Sequence, residues 1–173
     1  MDSELLGGMI IFFVIFYVVM ILFSLAMAVL QIIAQWKLFE KAGEKGWTSI
    51  IPIYNYLQMI KIATGKYTLG WIYLGICVLY IVITFVAAIM GVFFEQNGYD
   101  TILNFPLMLI PYSLLIPMYA LAGYVNFMFG KAYGKSTAWN VCMIFFAPIL
   151  IIIMGFDKKT VYVGTNGIPQ NYT

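Results

Sequence analysis

The sequence predicts an all-α polytopic membrane protein with four transmembrane helices, and two observations lead to this fold class. Of its 173 residues, 64% are hydrophobic and only 9% are charged, whereas a soluble domain carries about 25% charged residues. A soluble domain of this size could not hide so much apolar surface from water. The few charges are also grouped, and four uncharged runs lie between the groups, at residues 5–36, 67–94, 101–130 and 136–156.

The lengths of these runs predict the spans. Each run holds at least 21 residues, and a helix needs about 20 residues to cross the hydrocarbon core of a bilayer. A membrane β-barrel would require strands that alternate apolar and polar residues, which stretches such as CMIFFAPILIIIM (142–154) do not. We therefore expect a single membrane domain, residues 1–173, with spans at about 8–35, 69–94, 105–130 and 137–156 and a tail at 157–173.

A fifth, shorter helix is predicted at about 48–63. The segment is apolar but too short to span, and Asn55, Gln58 and Lys61 form one narrow polar stripe along it. This pattern favours an amphipathic helix lying in the inner membrane interface. A re-entrant segment, which dips into the membrane and returns, is the alternative. Pro52 fits the first turn of the helix, where a missing N–H costs nothing.

Lysine placement predicts the topology, because basic residues collect on the cytoplasmic side of short loops. Five lysines lie between the first two spans and two between the last two, while the link between the second and third spans has none. We therefore expect the N-terminus outside and, after four full crossings, the C-terminus outside. Lys158 and Lys159 would then lie on the wrong side. If the fourth run instead dips in and returns at Pro148, the tail is cytoplasmic.

Candidate functional residues form two groups. Polar side chains in or near the spans could line a pocket: Gln31, Gln35, Asn126 and Asn140. Residues of the predicted inner face could contact lipid headgroups or a partner: Lys37, Lys41, Lys45, Lys61, Lys66, Trp47 and Asn55. The simpler interpretations are hydrogen bonds between helices for the first group and a topology signal for the second.

The composition argues against several classes of function. The chain has no histidine and no arginine. The four uncharged runs also mean that no Asp, Glu or Lys lies in the hydrocarbon part of a predicted span. Intramembrane ionisable residues usually mark proton relays, ion paths and membrane-embedded catalysis. We therefore expect no cofactor, no metal and no enzymatic activity, and nothing in the modest net charge of +2 indicates a nucleic-acid partner.

Three hypotheses about function remain from the residues alone. The leading one is a non-enzymatic membrane protein that acts on a membrane protein partner, as a subunit, a modulator or an immunity-type protector against a membrane-active toxin. The alternative is a small oligomeric transporter or channel, using the Gln and Asn residues above. An enzyme acting on lipids is the third. The lipid bilayer is the expected surrounding in each case, and homo-oligomerisation stays open.

The chain also resembles an uncharacterised family of small bacterial membrane proteins. The resemblance rests on WKLFEKAGEKGW (36–47) followed by IPIYN (51–55), and on the strings GKAYGK (130–135) and GFDKKTVY (155–162). It implies a multi-pass protein of the bacterial cytoplasmic membrane. The family's domain also occurs joined to signal peptidase sequences, but residues 1–173 contain no counterpart of that catalytic portion, so the resemblance implies no peptidase activity and no other defined function.

Overall fold

The computed structural model describes residues 3–96 and 101–168, without the side chains of residues 3–5, 95 and 101–108. It contains five α-helices and two short 3-10 turns, Gly46–Ser49 and Thr165–Gly167. The helices are α1 (Ser3–Lys41), α2 (Pro52–Thr64), α3 (Thr68–Gln96), α4 (Thr101–Ala132) and α5 (Thr137–Phe156). Four of them, α1, α3, α4 and α5, are long and apolar enough to cross a membrane. The predicted all-α, multi-pass fold class is confirmed.

Local sequence explains how α1 and α4 end and how α5 begins. Gly43 and Gly134 adopt left-handed φ angles of 74° and 65°, which glycine reaches at no steric cost. Each glycine turns the chain just past its helix, so that Glu44 N–H donates to Phe39 O and Lys135 N–H donates to Gly130 O. This is the usual glycine helix stop. Ser136 then caps α5 by accepting a hydrogen bond from Trp139 N–H.

The packing of the helices separates α1 from α3 and α4. α4 packs against α2, α3 and α5, and is the central helix. α1 packs against α5 and the turn at Gly46–Ser49. Within the described residues α1 does not pack against α3 or α4. The connection between α1 and the α3–α4 pair is therefore made mainly by α5.

All but one of the buried side chains among the described residues lie at one end of the molecule. The core is built from the end of α1, all but the start of α2, the end of α4 and α5, and its largest fully buried members are Leu38, Phe39, Ile60, Val125, Phe129, Met143 and Met154. We call residues 31–70 and 123–168 the lysine end, since all nine lysines lie there. Residues 6–30, 71–94 and 109–122 are the apolar stems, and among them only Pro111 is buried.

The helix α5 folds back on itself. A straight helix of its 20 residues would be about 30 Å long. Yet Lys135, just before α5, places its Nζ 3.4 Å from Oδ2 of Asp157, just after it. The fold-back occurs at Phe146, whose φ of −118° and ψ of 29° are not helical. Pro148 follows, and it removes a backbone hydrogen bond. Each leg, 137–145 and 147–156, is then about 14 Å long, roughly half of the hydrocarbon thickness.

The residues after α5 return to the end of α4. Val163 N–H donates to Ala132 O at 2.9 Å, and a methyl group added at Gly134 would lie 2.8 Å from a methyl of Val163. The prediction that four full crossings place the tail opposite the lysine loops is therefore wrong, because a break at Phe146–Pro148 turns the fourth apolar run around. The alternative path, returning at Pro148, is the one found. It removes the anomaly of Lys158 and Lys159, which join the other lysines.

The short helix α2 is present, as predicted, at Pro52–Thr64 with proline in its first turn. It packs mainly against α4 and, among the described residues, touches α1 only near the end of that helix. Asn55 contacts Gln35, and Lys61 contacts Glu44 beyond the last turn of α1. The six residue steps from Asn55 to Lys61 advance about 9 Å along α2. Its apolar face, including Ile60 and Ala63, is buried in the core.

Candidate functional site

The first polar cluster joins α1 to the beginning of α2. Asn55 Nδ2 donates to Gln35 Oε1 at 2.5 Å and to Ser49 O at 3.2 Å. Gln35 and Ser49 are buried, and Ser49 Oγ, Asn55 Oδ1 and Gln31 Oε1 have no hydrogen-bond partner among the described residues. Gln31 lies one turn before Gln35 on the same face of α1. The cluster therefore ties α2 to α1 and leaves three buried polar atoms without a partner.

The second polar cluster lies between α4 and α5. Asn140 is 2% exposed, and its Nδ2 donates to Lys135 O at 3.2 Å. Its Oδ1 lies directly against Gly130, where any side chain would collide with it. Asn126 is half-buried on α4 and makes no side-chain hydrogen bond within the described part of the chain.

The four residues of the predicted polar pocket are thus divided between these two places. Gln31 and Gln35 belong to the α1–α2 cluster, Asn140 belongs to the α4–α5 cluster, and no hydrogen bond among the described residues joins any two of the four. Asn55, predicted as an inner-face contact, is instead the partner of Gln35. Of the four predicted residues, only Gln35 therefore makes a side-chain hydrogen bond to another helix among the described residues.

A third cluster, which we call the clasp, consists of Lys41, Lys135, Asp157 and Thr160. Lys41 Nζ donates to Asp157 O at 2.8 Å and to Met154 O at 3.4 Å, so it satisfies carbonyl groups at the end of α5. Lys135 Nζ donates to Thr160 Oγ1 at 2.7 Å and to Asp157 Oδ2 at 3.4 Å. The clasp joins α1, the α4–α5 turn and the residues after α5, so it holds both ends of the folded-back helix together.

The carboxylate of Asp157 is held in its charged form by this network. Hydrogen bonds from the Thr160 hydroxyl, the Lys159 backbone N–H and the Lys135 ammonium lower the pKa of Asp157 to about 2. Thr160 contributes the shortest of these bonds, at 2.7 Å to Oδ2. Sequence reasoning missed Asp157 and Thr160 as important residues. The signal was the GFDKKTVY string (155–162), which contains both.

A second ion pair at the lysine end joins α2 to the turn after α1. Lys61 Nζ lies 2.6 Å from Glu44 Oε1, and the two side chains are 34% and 26% exposed. The hydrogen bond with Glu44 raises the pKa of Lys61. The pair borders a cavity of about 150 Å³ that is also lined by Ala42, Gly65, Tyr162 and Thr165. Glu44 and Lys61 therefore anchor the C-terminal half of α2 to the turn after α1.

The remaining lysines have no carboxylate partner among the described residues: Lys37, Lys45, Lys66, Lys131, Lys158 and Lys159. Trp47 is 46% exposed and lies near Tyr54, with ring centroids 6.5 Å apart. Nine lysines and three carboxylates, Glu40, Glu44 and Asp157, make the lysine end strongly basic, with a net charge of +6. A basic surface at the edge of a membrane is attracted to anionic headgroups.

Comparison of the chain with models of protein families, with curated proteins and with solved structures gives no match.

Proposed function

We propose that this is a non-enzymatic protein of the bacterial cytoplasmic membrane that acts by binding a membrane protein partner through its apolar stems. The observation that carries the proposal is the isolation of α1. Its residues 6–30 are apolar on all sides, none of them is buried, and within the described residues α1 packs against neither α3 nor α4. A long helix that is bound to its own chain only at one end is available to a partner along the rest.

The lengths of the helices also favour a partner. The uncharged runs of α1, α3 and α4 hold 32, 28 and 30 residues, which correspond to about 48, 42 and 45 Å of helix. A helix tilted by about 40°, the largest usual tilt, matches a hydrocarbon core of about 30 Å with only about 39 Å of its length. A partner that covers the outer ends of the stems would remove this mismatch.

The proposed orientation places the N-terminus outside and the lysine end in the cytoplasm. All nine lysines lie at the lysine end, and the positive-inside rule assigns such an end to the cytoplasmic side. The chain would then cross the membrane three times, by α1, α3 and α4, and α5 would be a re-entrant hairpin from the cytoplasmic side. The C-terminal tail is accordingly proposed to be cytoplasmic.

A photo-crosslinking experiment tests the partner. We would place a photoreactive amino acid at Phe12, in the apolar stem of α1, and in a second variant at Lys131, an exposed residue of the lysine end. After illumination of native membranes, purification and mass spectrometry should find a discrete protein crosslinked from Phe12 and a weaker or different pattern from Lys131. If Phe12 crosslinks only to lipid, the proposed function is wrong. A crosslink to a second copy of this chain would replace the partner by a homo-oligomer.

Fusions to the C-terminus test the orientation separately. Green fluorescent protein folds in the cytoplasm and alkaline phosphatase is active only outside it, so the two reporters give opposite signals. We expect fluorescence and no phosphatase activity for fusions after residue 168. The reverse result would mean that α5 crosses the membrane and that the fold-back is not present in the bilayer.

A small oligomeric transporter or channel is the second candidate, and the break in α5 is the observation that favours it. Interrupted helices at mid-membrane depth form substrate and ion sites in many transporters. Here, however, the residues around the break are apolar, and Phe145 and Phe146 are 75% and 59% exposed. A polar path would have to be completed by other copies. Ion flux in liposomes that disappears in Gln31→Ala would support this function, and inert liposomes would exclude it.

A further inference from the structure

A groove runs between the end of α1 and the returning leg of α5. It has a volume of about 370 Å³ and is lined by Lys37, Glu40, Lys41, Gly155, Phe156, Asp157 and Lys158. The two helices meet closely here, because Gly155 lies directly against Ala34 of α1. The groove exists only because α5 folds back, which brings Phe156 and Lys158 beside Lys37.

The charges around this groove are not equivalent. Glu40 accepts a hydrogen bond of 2.6 Å from Trp36 Nε1, and Asp157 is held by Thr160, Lys159 and Lys135. Lys41 is directed at carbonyl oxygens of α5. Lys37 and Lys158 have no carboxylate partner among the described residues. Both carboxylates are thus engaged elsewhere, while two ammonium groups are available to an anion.

Lys37 is located where a lipid headgroup would lie. It directly follows the 5–36 uncharged run, so it lies where α1 leaves the hydrocarbon. Its Nζ is 4.1 Å from the ring centroid of Phe156, a cation–π contact that orients the ammonium group over the groove. On the hydrocarbon side, Ile33 and Ile153 are 40% and 49% exposed on the same two helices. A cationic groove therefore continues into an apolar surface.

We propose that this groove binds the phosphate of an anionic phospholipid. Lys37 and Lys158 donate to the phosphate oxygens from two sides, and the acyl chains lie on the exposed apolar surface that includes Ile33 and Ile153. Charge-assisted hydrogen bonds to a phosphate are the stronger kind, and clustered lysines next to a membrane helix are typical of anionic lipid recognition. The bound lipid would bridge α1 and α5 next to the clasp. This inference is independent of the proposed partner, which would bind the stems.

Native mass spectrometry of the detergent-purified protein tests this site. Phosphatidylglycerol or phosphatidylcholine would be titrated into the wild type, the Lys37→Gln/Lys158→Gln variant and a matched control, Lys66→Gln/Lys131→Gln. The control removes the same charge from exposed residues outside the groove. We expect the wild type and control to retain phosphatidylglycerol over phosphatidylcholine. The groove variant should lose affinity by about thirtyfold, because each lysine near an anionic headgroup contributes about a fivefold effect.

Three outcomes would overturn the proposal. Equal losses in the groove variant and the control would mean that the protein attracts anionic lipids by its overall charge and has no site. Equal retention of the two lipids by the wild type would mean that the groove does not select a net anionic headgroup, since both lipids carry the same phosphodiester. Competition by inorganic phosphate at the same concentration would assign the groove to a free phosphate rather than a lipid. Thermal melting of each variant checks its folding, and all four lysines are exposed.

Discussion

The lysine end and the apolar stems are made of the same helices, yet they are held in different ways. At the lysine end, side-chain hydrogen bonds join different elements, such as Asn55 to Gln35 and Tyr133 to Leu38 O. In the stems, the hydroxyls of Ser24, Thr84 and Ser113 donate only to carbonyl groups of their own helix. The stems of α3 and α4 pack against each other, but these three hydroxyl hydrogen bonds tie no stem helix to another.

Glycine placement follows the same division. At the lysine end, side chains or backbone of neighbouring elements lie directly against Gly46, Gly70, Gly130 and Gly155. In the stems, a methyl group added at Gly75 or Gly91 would have no neighbour within 4 Å. Lipid is as apolar as leucine, so membrane helices associate through close packing at small residues and through hydrogen bonds rather than through the hydrophobic effect. The comparison shows close contacts at glycines and hydrogen bonds between elements at the lysine end, whereas these glycines and hydroxyls of the stems make neither.

The largest expected difference between the two regions comes from truncating a phenylalanine. Phe39→Ala removes a fully buried ring from the core and should lower the free energy of unfolding by about 3–5 kcal/mol. Phe12→Ala removes a ring that is 65% exposed, and should change it by no more than about 0.5 kcal/mol. Both are measured by denaturant titration in detergent. Equal effects would mean that the stem of α1 packs within the isolated protein.

The second largest difference in stability between the two regions is expected when a glycine is replaced by alanine. In Gly155→Ala the added carbon would lie 2.6 Å from backbone atoms of Ala34, so α1 and α5 must move apart, at a cost of about 1–3 kcal/mol. Gly91→Ala is the control, because it meets no neighbour and should be neutral or stabilising by about 1 kcal/mol through helix propensity. The measurement is the midpoint of thermal unfolding. A Gly155→Ala protein as stable as the wild type would contradict the close contact.

A smaller effect is expected from the amide bond between α1 and α2. A double-mutant cycle with Gln35→Ala and Asn55→Ala should give a coupling energy of about 0.6 kcal/mol, the average for such bonds in membrane proteins. The reference pair is Gln35 with Asn126, which share no hydrogen bond. A coupling of zero for the first pair, or an equal coupling for both pairs, would mean that the bond does not join these helices.

The smallest effect is the pH dependence of the clasp. The folded pKa of Asp157 is lowered to about 2, below its unfolded value. Its contribution is therefore fully present above the unfolded pKa and is lost as the pH falls through the folded pKa. We expect the melting temperature to decrease between neutral pH and about pH 2 and the decrease to be smaller in Asp157→Asn. An identical pH profile in the variant would show that Asp157 is not held in its charged form.

Much of the fold could be predicted from particular residues. The lysines marked where the apolar runs end, and the lengths of the runs were enough for the long helices because the bilayer sets a minimum length. Pro52 marked the first turn of α2. The candidate site was predicted only in part. Gln35 and Asn140 proved to be buried, but their partners, Asn55 and Lys135 O, depend on which elements meet, and a single sequence does not state that.

The sequence by itself determined that this chain is an α-helical membrane protein. Its charge distribution and the lengths of its apolar runs are compatible only with a lipid bilayer as the surrounding medium. Only the tertiary structure decided what the fourth apolar run does. Its composition permits a crossing, and a proline inside a membrane helix is compatible with a kink as well as with a reversal. The direction of α5 after Phe146 is set by contacts far away in the sequence, where Ala34 and Lys41 of α1 receive Gly155 and Asp157.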